Sequence, residues 1–188
     1  MAESKALQVL LDTLPQVGRV MWIGIRPSRA EPMMALDSVQ VAVDRSLAGD
    51  RFNGSAGNPR QVTLIQQEHL DVIAACLGRE PIARALLRRN IVVAGINLLA
   101  LKDKMFRVGD ALLEFSGLCH PCSKMERQPG AGGYNAMRGH GGITARVLEA
   151  GLVRIDPAVF YQGNNAQRGQ RALTGLVTWH ERPVIAKL

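Results

Sequence analysis

The chain has few aromatic residues, few cysteines and no long apolar run, and each scarcity excludes a class of protein. Aromatic residues make up 4% of it and hydrophobic residues 47%, so its core must be mainly aliphatic. Three cysteines is an odd number, and a chain of 188 residues needs no disulfide framework, so we expect reduced thiols. No stretch reaches the ~20 apolar residues of a membrane span. Residues 1–14 also lack the basic start and apolar run of a secretion signal. We therefore expect a soluble cytoplasmic protein.

The charge is unbalanced, because 23 Lys and Arg face 16 Asp and Glu, which gives a net charge of +7. A basic surface favours an anionic partner, and most of these cations are arginines, which suit bidentate phosphate contacts. The sequence has no long Lys/Arg block and no basic patch interleaved with aromatics, which argues against nucleic acid. It also lacks the glycine-rich motifs that bind dinucleotides or nucleoside triphosphates. A phosphate-bearing small molecule is the expected ligand.

Apolar periodicity predicts many short strands and few helices. Strands are predicted at residues 17–27, 33–43, 62–65, 91–94, 97–101, 105–108, 111–115, 143–148, 152–155 and 158–161, and helices at residues 2–12, 66–77 and 81–89. Gly109 and Asp110 mark a tight turn between two of the strands. The alternation of strands and helices is too irregular for a parallel doubly wound sheet. The pattern favours a mainly β fold with helical decorations, that is, an α+β barrel.

We predict one domain over residues 1–188. Its core spans about residues 18–160, preceded by an N-terminal helix within residues 1–14. Residues 163–188 are expected to form a C-terminal tail.

Residues 115–126 read Phe-Ser-Gly-Leu-Cys-His-Pro-Cys-Ser-Lys-Met-Glu and place Cys119 and Cys122 in a Cys-x-x-Cys motif. A thiolate can serve as a soft metal ligand, a sulfur carrier or a nucleophile. A structural zinc site would need two further ligands, usually a second pair at short spacing. A thioredoxin-type pair would lie early in the chain at a helix start, whereas this motif lies past the middle in a β-rich region. Cys76, at the end of an apolar helix, is expected to be a small core side chain.

Several short motifs occur in a specific order and spacing. They are residues 50–51, 60–64, 88–95, 107–111, 116–122 and 142–151. Together they strongly resemble the MOSC domain, a family named for the C-terminal domain of molybdenum cofactor sulfurase. The resemblance spans about residues 18–159, and the chain resembles a free-standing bacterial-type member.

The resemblance implies a MOSC-type β-barrel and a site for the molybdenum cofactor, molybdopterin. In relatives that reduce N-hydroxylated compounds, a cysteine binds molybdenum, and its local pattern matches Cys122. Arg88 or Arg89, with Asn90, would meet the phosphate or the pterin edge of the cofactor. Many relatives have one cysteine where this chain has two, and they lack the proline before the ligand. The role of Cys119 is therefore open.

The glycine-rich stretch after the cysteines is consistent with a molybdenum-cofactor site. Its glycines would let main-chain N–H groups face an anion as a nest does; they are Gly132, Gly133, Gly139, Gly141 and Gly142. Lys124 or Arg138 would stabilise a thiolate at Cys122. His140 is a candidate acid.

Two functions follow from this reading. The first is a molybdenum-dependent reductase of small N-hydroxylated substrates, with Cys122 as metal ligand and a separate flavin or iron–sulfur reductase as electron donor. The alternative is a sulfur carrier that holds a persulfide on Cys122, supplied by a pyridoxal-phosphate cysteine desulfurase for cluster or cofactor assembly. Cys119 would then act as a relay or resolving thiol. A nucleic-acid binder is a third hypothesis that rests on the charge alone.

Overall fold

The computed structural model of the chain describes residues 2–52, 54–156 and 158–161. The predicted tail at residues 163–188 lies outside the described residues. The strands in the described part are β1 (Val17–Ile25), β2 (Met34–Leu36), β3 (Ser38–Ala42), β4 (Ser46–Leu47), β5 (Val62–Gln66), β6 (Ile91–Ala94), β7 (Met105–Val108), β8 (Ala111–Leu118), β9 (Ile143–Glu149), β10 (Gly151–Arg154) and β11 (Ala158–Tyr161). The α-helices are α1 (Ala2–Asp12), α2 (Gln67–Cys76), α3 (Lys124–Arg127) and α4 (Gly133–Ala136), and 3₁₀ helices form at Arg84–Leu87 and Leu98–Leu101.

Seven of these strands close into a barrel in the order β11-β7-β8-β9-β5-β6-β1, because β11 also pairs with β1. All pairings around the barrel are antiparallel except that of β5 with β6. Strand β2 extends the sheet beside β1, while β10, β3 and β4 form a second small sheet. The predicted mainly β barrel with few helices is confirmed. None of the helices in this part of the chain has the length and apolarity to cross a membrane.

The parallel pair β5–β6 is buried on both faces. Leu64 and Val93 belong to the aliphatic core of the barrel, while their neighbours Ile65 and Val92 belong to a second cluster that includes Leu70 of α2. Side chains alternate between the two faces of a strand, so a strand that is covered on both faces must be apolar throughout. This burial on both faces explains the uninterrupted apolar runs in the sequence at β5 and β6. Their tight packing fixes the position of the polar residues at the strand starts.

The second cluster also ties the segment after the cysteines to the barrel. Met125 of α3 and Ala136 of α4 are buried in it, together with Met137 and Leu87. These side chains hold α3, α4 and the 3₁₀ turn Arg84–Leu87 against the outer face of β5–β6. The cysteines and the arginines of the predicted site are therefore brought to the same side of the barrel.

Four sequence-based predictions differ from the structure. The predicted helix at residues 81–89 is reduced to the 3₁₀ helix Arg84–Leu87, because Arg88 adopts a left-handed conformation that ends it. The predicted strand at residues 97–101 is a 3₁₀ helix, because the Asn97 side chain accepts the N–H of Leu99 and so caps a turn. The predicted strand at residues 33–43 divides into β2 and β3 at Asp37. Cys76 is exposed and not in the core, because it lies on the outer side of the last turn of α2.

Candidate functional site

A cavity of about 300 Å³ lies beside the end of β1 and the starts of β5 and β6. Its lining is mostly polar and contains five arginines and a single carboxylate. The lining residues are Arg26, Met33, Asp50, Arg51, Phe52, Arg60, Gln61, Thr63, Arg88, Arg89 and Asn90. We call this the arginine cavity.

The arginines of this cavity have no carboxylate partner. Within the described residues the ion pairs are made by other cations, namely Arg19, Lys104, Arg107 and Arg146. The Nε atom of Arg26 is buried without a hydrogen-bond partner in the same part of the chain. Guanidinium groups that outnumber the carboxylates on a concave surface attract an anion that accepts several hydrogen bonds, and here five arginines share the lining with Asp50 alone. The charge of the lining is therefore suited to an anion.

The carboxylate of Asp50 serves to hold the cavity wall. Its oxygens accept the backbone N–H of Arg26 over 2.9 Å, that of Phe52 over 3.1 Å, and the amide Nδ2 of Asn90 over 3.3 Å. Burial raises the pKa of Asp50 above its ordinary value, although the N–H of Phe52 opposes this shift. These bonds join the loop after β4 to the end of β1.

Asn90 fills the wall between β5 and β1. Its Oδ1 accepts both the N–H and the hydroxyl of Thr63, over 3.1 and 2.7 Å. Its Nδ2 donates to the carbonyl of Gly24 and to Asp50, each over 3.3 Å. An amide side chain offers two donor hydrogens and two acceptor sites, and here all four are used within the protein. Asn90 lines the arginine cavity, but it shapes that wall and leaves no free polar group there.

Arg89 is the most buried cation of the cavity, with 6% of its surface exposed. Its Nε donates to the carbonyl of Gly141 over 2.8 Å, and its two Nη atoms donate to the carbonyls of Leu87 over 3.0 Å and Cys119 over 3.1 Å. Burial lowers the pKa of Arg89, because desolvation disfavours the charged guanidinium. One side chain thus joins the 3₁₀ turn, the cysteine loop and the glycine-rich loop.

Arg88 has a different environment from its neighbour. It ends the 3₁₀ helix Arg84–Leu87 in the left-handed region, with φ of +57°. This conformation costs a residue with a Cβ roughly 1–2 kcal/mol. No described hydrogen bond occupies its guanidinium, and the side chain is half-buried on the arginine cavity. Strain of this kind at a cavity wall is typical of a functional position.

The two cysteines differ in exposure. Cys119 is 1% exposed and its Sγ accepts a hydrogen bond from Nη2 of Arg60 over 3.5 Å. Cys122 is exposed and lies outside the set of residues that line the arginine cavity. Electrostatic interaction with both cysteines opposes the effect of burial and favours the charged guanidinium of Arg89. The structure therefore brings the cysteine pair close to Arg89 of the predicted site.

Glycines of the predicted nest serve close backbone contacts instead. A Cβ on Gly141 would lie 2.2 Å from the carbonyl oxygen of Cys119, and one on Gly142 would lie 2.0 Å from that of Leu64. Only glycine allows this approach of the loop to the cysteine segment and to β5. Gly139 has a positive φ and no close neighbour.

The amides near Gly132 already bind a carboxylate of the chain itself. The N–H groups of Gly132 and Tyr134 donate to the two oxygens of Glu126 over 2.8 and 2.9 Å. These bonds lower the pKa of Glu126, with that from Tyr134 contributing most. The predicted anion site at Gly132 is thus satisfied internally.

The remaining predicted residues lie outside the lining of the arginine cavity. Lys124 begins α3 and Arg138 lies in the glycine-rich loop; both are exposed and outside the cavity lining. His140 is half-buried, and its ring packs edge-on against that of His69 with centroids 5.0 Å apart. Burial and the neighbouring His140 lower the pKa of His69. The structure thus sets His140 against a second imidazole.

Sequence reasoning missed four charged residues of the cavity as site residues, and also the neutral polar residues Gln61 and Thr63. Asp50, Arg51 and Arg60 were part of the resemblance pattern but received no role, and Arg26 carried no signal at all. Arg26 directly follows β1, which reaches the site only because β1 pairs with β6 across a large sequence separation. A sequence signal that could have found the cavity arginines is an arginine next to the end of a strand, because the barrel gathers several such strand ends on one side.

Comparison with solved structures shows the same fold in bacterial proteins. The YuaD protein of Bacillus subtilis aligns with a TM-score of 0.66 and 18% identity over 76% of this chain and 94% of that one. YiiM from Geobacillus stearothermophilus aligns with a TM-score of 0.57 and 20% identity over 79% of this chain and 78% of that one. YiiM from Escherichia coli gives 0.59 and 20%, over 76% and 69%.

Comparison with curated protein sequences finds no match. The model of the MOSC domain, a family associated with the molybdenum cofactor, matches residues 52–159. This range runs from the wall of the arginine cavity through the cysteine pair to β11, and so covers more than half of the chain. The chain belongs to the MOSC domain family.

Proposed function

We propose that this protein binds the molybdenum cofactor in the arginine cavity and reduces small N-hydroxylated compounds, with Cys122 as the molybdenum ligand. The observation that carries the proposal is the set of arginines without carboxylate partners beside the cysteine pair. A phosphate group suits this lining, because each guanidinium can donate two parallel hydrogen bonds to it.

The residues present fit the cofactor. The orphaned Nε of Arg26 is a buried donor that requires an acceptor. The volume of about 300 Å³ is at the lower end of the range of ~300–1,000 Å³ for small-molecule pockets. A compact ligand with one phosphate is therefore favoured over a dinucleotide.

Each part of the chain has a distinct task in this proposal. Arg26, Arg60 and Arg88 would bind the phosphate, and the thiolate of Cys122 would be the soft ligand of the metal. Asp50 and Asn90 would keep the wall in place through the bonds described above. The cofactor, when bound, would supply a redox centre suited to oxygen-atom transfer. A separate flavin or iron–sulfur reductase is proposed as the electron donor.

The test is expression in a host that makes the cofactor, followed by assay with an N-hydroxylated base and a reduced viologen dye. The wild-type protein and the Cys76→Ser control should reduce the substrate, and Cys122→Ser should not. Cys76 is a suitable control because it is an exposed cysteine away from the motif. Equal activity of wild type and Cys122→Ser would refute the role of this thiol.

The exposure of Cys122 favours a second candidate function, that of a sulfur carrier. A thiol that lies outside the cavity lining is accessible to a macromolecular donor such as a cysteine desulfurase. Incubation with a desulfurase, pyridoxal phosphate and cysteine should then add a sulfur atom to Cys122, detected by peptide mass spectrometry. An unmodified Cys122, with persulfide formed on a known acceptor in parallel, would eliminate the carrier function.

A further inference from the structure

The two thiols of the Cys-x-x-Cys motif have complementary environments. Cys122 is exposed and can meet a small oxidant, whereas Cys119, three residues before it, is buried. We propose that Cys122 is oxidised by hydrogen peroxide and that Cys119 resolves the product into a reversible intramolecular disulfide. The proposal concerns the cofactor-free chain and does not require the function proposed above.

Cationic groups around the pair favour this chemistry. The guanidinium of Arg60 donates to Cys119 Sγ over 3.5 Å, and Arg89 interacts electrostatically with both cysteines. The attacking sulfur is negatively charged in both steps, and neighbouring guanidinium groups attract negative charge.

Cys119 is the fixed member of the pair. Its N–H donates to the carbonyl of Gly142 over 2.9 Å, and its own carbonyl accepts from Arg89 over 3.1 Å. Cys122 follows the end of β8 by a longer stretch of irregular chain and precedes the short helix α3. Closing the disulfide therefore requires movement of the exposed sulfur towards the buried one.

The steps balance in atoms and electrons. The Cys122 thiolate attacks one peroxide oxygen, the O–O bond breaks, and a sulfenic acid and hydroxide form. Cys119 then attacks the Cys122 sulfur, the S–S bond forms, and the hydroxyl group leaves as water after taking up the thiol proton. In total two thiols lose two electrons and two protons, and one peroxide becomes two waters. A dithiol such as dithiothreitol returns both electrons.

If Cys122 is also the molybdenum ligand, which rests on the proposed function, the disulfide removes that ligand and the oxidised protein should bind less cofactor. The test below uses protein without cofactor. Its failure would leave the cofactor proposal standing, and failure of the cofactor proposal would leave the disulfide standing.

The experiment exposes the full-length chain to hydrogen peroxide, alkylates the remaining thiols with N-ethylmaleimide and digests with trypsin. Residues 108–124 lie between Arg107 and Lys124 and carry both cysteines in one peptide. We expect this peptide to lose two hydrogen atoms and to resist alkylation, and dithiothreitol to restore both thiols. Cys76 serves as the exposed cysteine without a neighbouring thiol and should instead be alkylated or take up oxygen.

Two variants separate the roles of the thiols. In Cys119→Ser, Cys122 should accumulate sulfinic acid, because no thiol resolves its sulfenic acid. In Cys122→Ser, Cys119 should stay reduced at peroxide levels that fully convert the wild type, because it is buried. Oxygen addition to Cys122 in the wild type while Cys119 stays alkylatable, or disulfide-linked dimers in place of the internal disulfide, would overturn the proposal.

Discussion

Replacing Arg89 with leucine should destabilise the protein strongly, although this arginine lines a ligand cavity. Three backbone carbonyls from separate segments accept hydrogen bonds from its guanidinium, those of Leu87, Cys119 and Gly141. Leucine would leave all three carbonyls without this donor at a place where water has little access. If Arg89 served the ligand alone, the ligand-free protein would lose no stability.

The expected loss of stability in Arg89→Leu is the difference between two opposing effects. A hydrogen bond from a charged donor is worth about 1.5–3 kcal/mol net, so three of them would contribute roughly 5–9 kcal/mol. Burying an arginine cation without a carboxylate partner costs several kcal/mol, and leucine removes that cost. The difference predicts that Arg89→Leu lowers the free energy of unfolding by about 2–4 kcal/mol.

Urea denaturation of ligand-free protein measures this change, with Arg88→Leu as the matched control. Arg88 is the adjacent arginine on the same cavity, and its guanidinium has no described hydrogen bond. Its replacement should change the free energy of unfolding by no more than about 0.5 kcal/mol. Equal small losses for both variants would refute the view that Arg89 holds the three segments together.

Arg88→Leu should weaken the affinity of the cavity for inorganic phosphate about tenfold, by calorimetric titration, because one charge-assisted contact is lost; unchanged affinity would remove Arg88 from the anion site. Gly141→Ala should lower the free energy of unfolding by about 1–3 kcal/mol, since its Cβ would meet the Cys119 carbonyl at 2.2 Å. Glu126→Gln should lower the melting temperature at pH 7. The pKa of Glu126 is depressed in the fold, so its stabilisation is present above its ordinary pKa of 4.5 and is lost as pH falls through the lower folded value. The difference in melting temperature between wild type and variant should shrink over that range, and a pH-independent difference would contradict the role of the carboxylate.

Local patterns predicted most of the strands, because a strand in a closed barrel alternates between a buried and an outer face. The turn at Gly109 is an example: β7 and β8 pair with Val108 opposite Ala111, as the tight-turn signal required. The segment at residues 97–101 failed because its apolar residues fit either a strand or a turn. The Asn97 cap, a single side-chain bond, selected the turn.

The site was less accessible to sequence reasoning than the fold. The resemblance led to Arg88, Arg89 and Asn90, and all three lie on the cavity. The resemblance did not distinguish Arg88, whose guanidinium is not occupied by a described hydrogen bond, from Arg89, which binds backbone carbonyls. That distinction depends on which carbonyls lie within reach of each side chain in the fold. Arg26 could not be predicted as a cavity residue from the sequence, because only the pairing of β1 with β6 in the folded chain brings it to the site.

The most direct test of the account is the molybdenum content of protein purified from a cofactor-producing host. Elemental mass spectrometry should find molybdenum and protein-bound pterin in the wild type and in Cys76→Ser, and a large loss of molybdenum in Cys122→Ser. The combined Arg60→Gln and Arg88→Gln variant should lose both molybdenum and pterin, because the phosphate contacts hold the whole cofactor. Equal molybdenum in the wild type, in Cys122→Ser and in the double arginine variant would contradict the proposal.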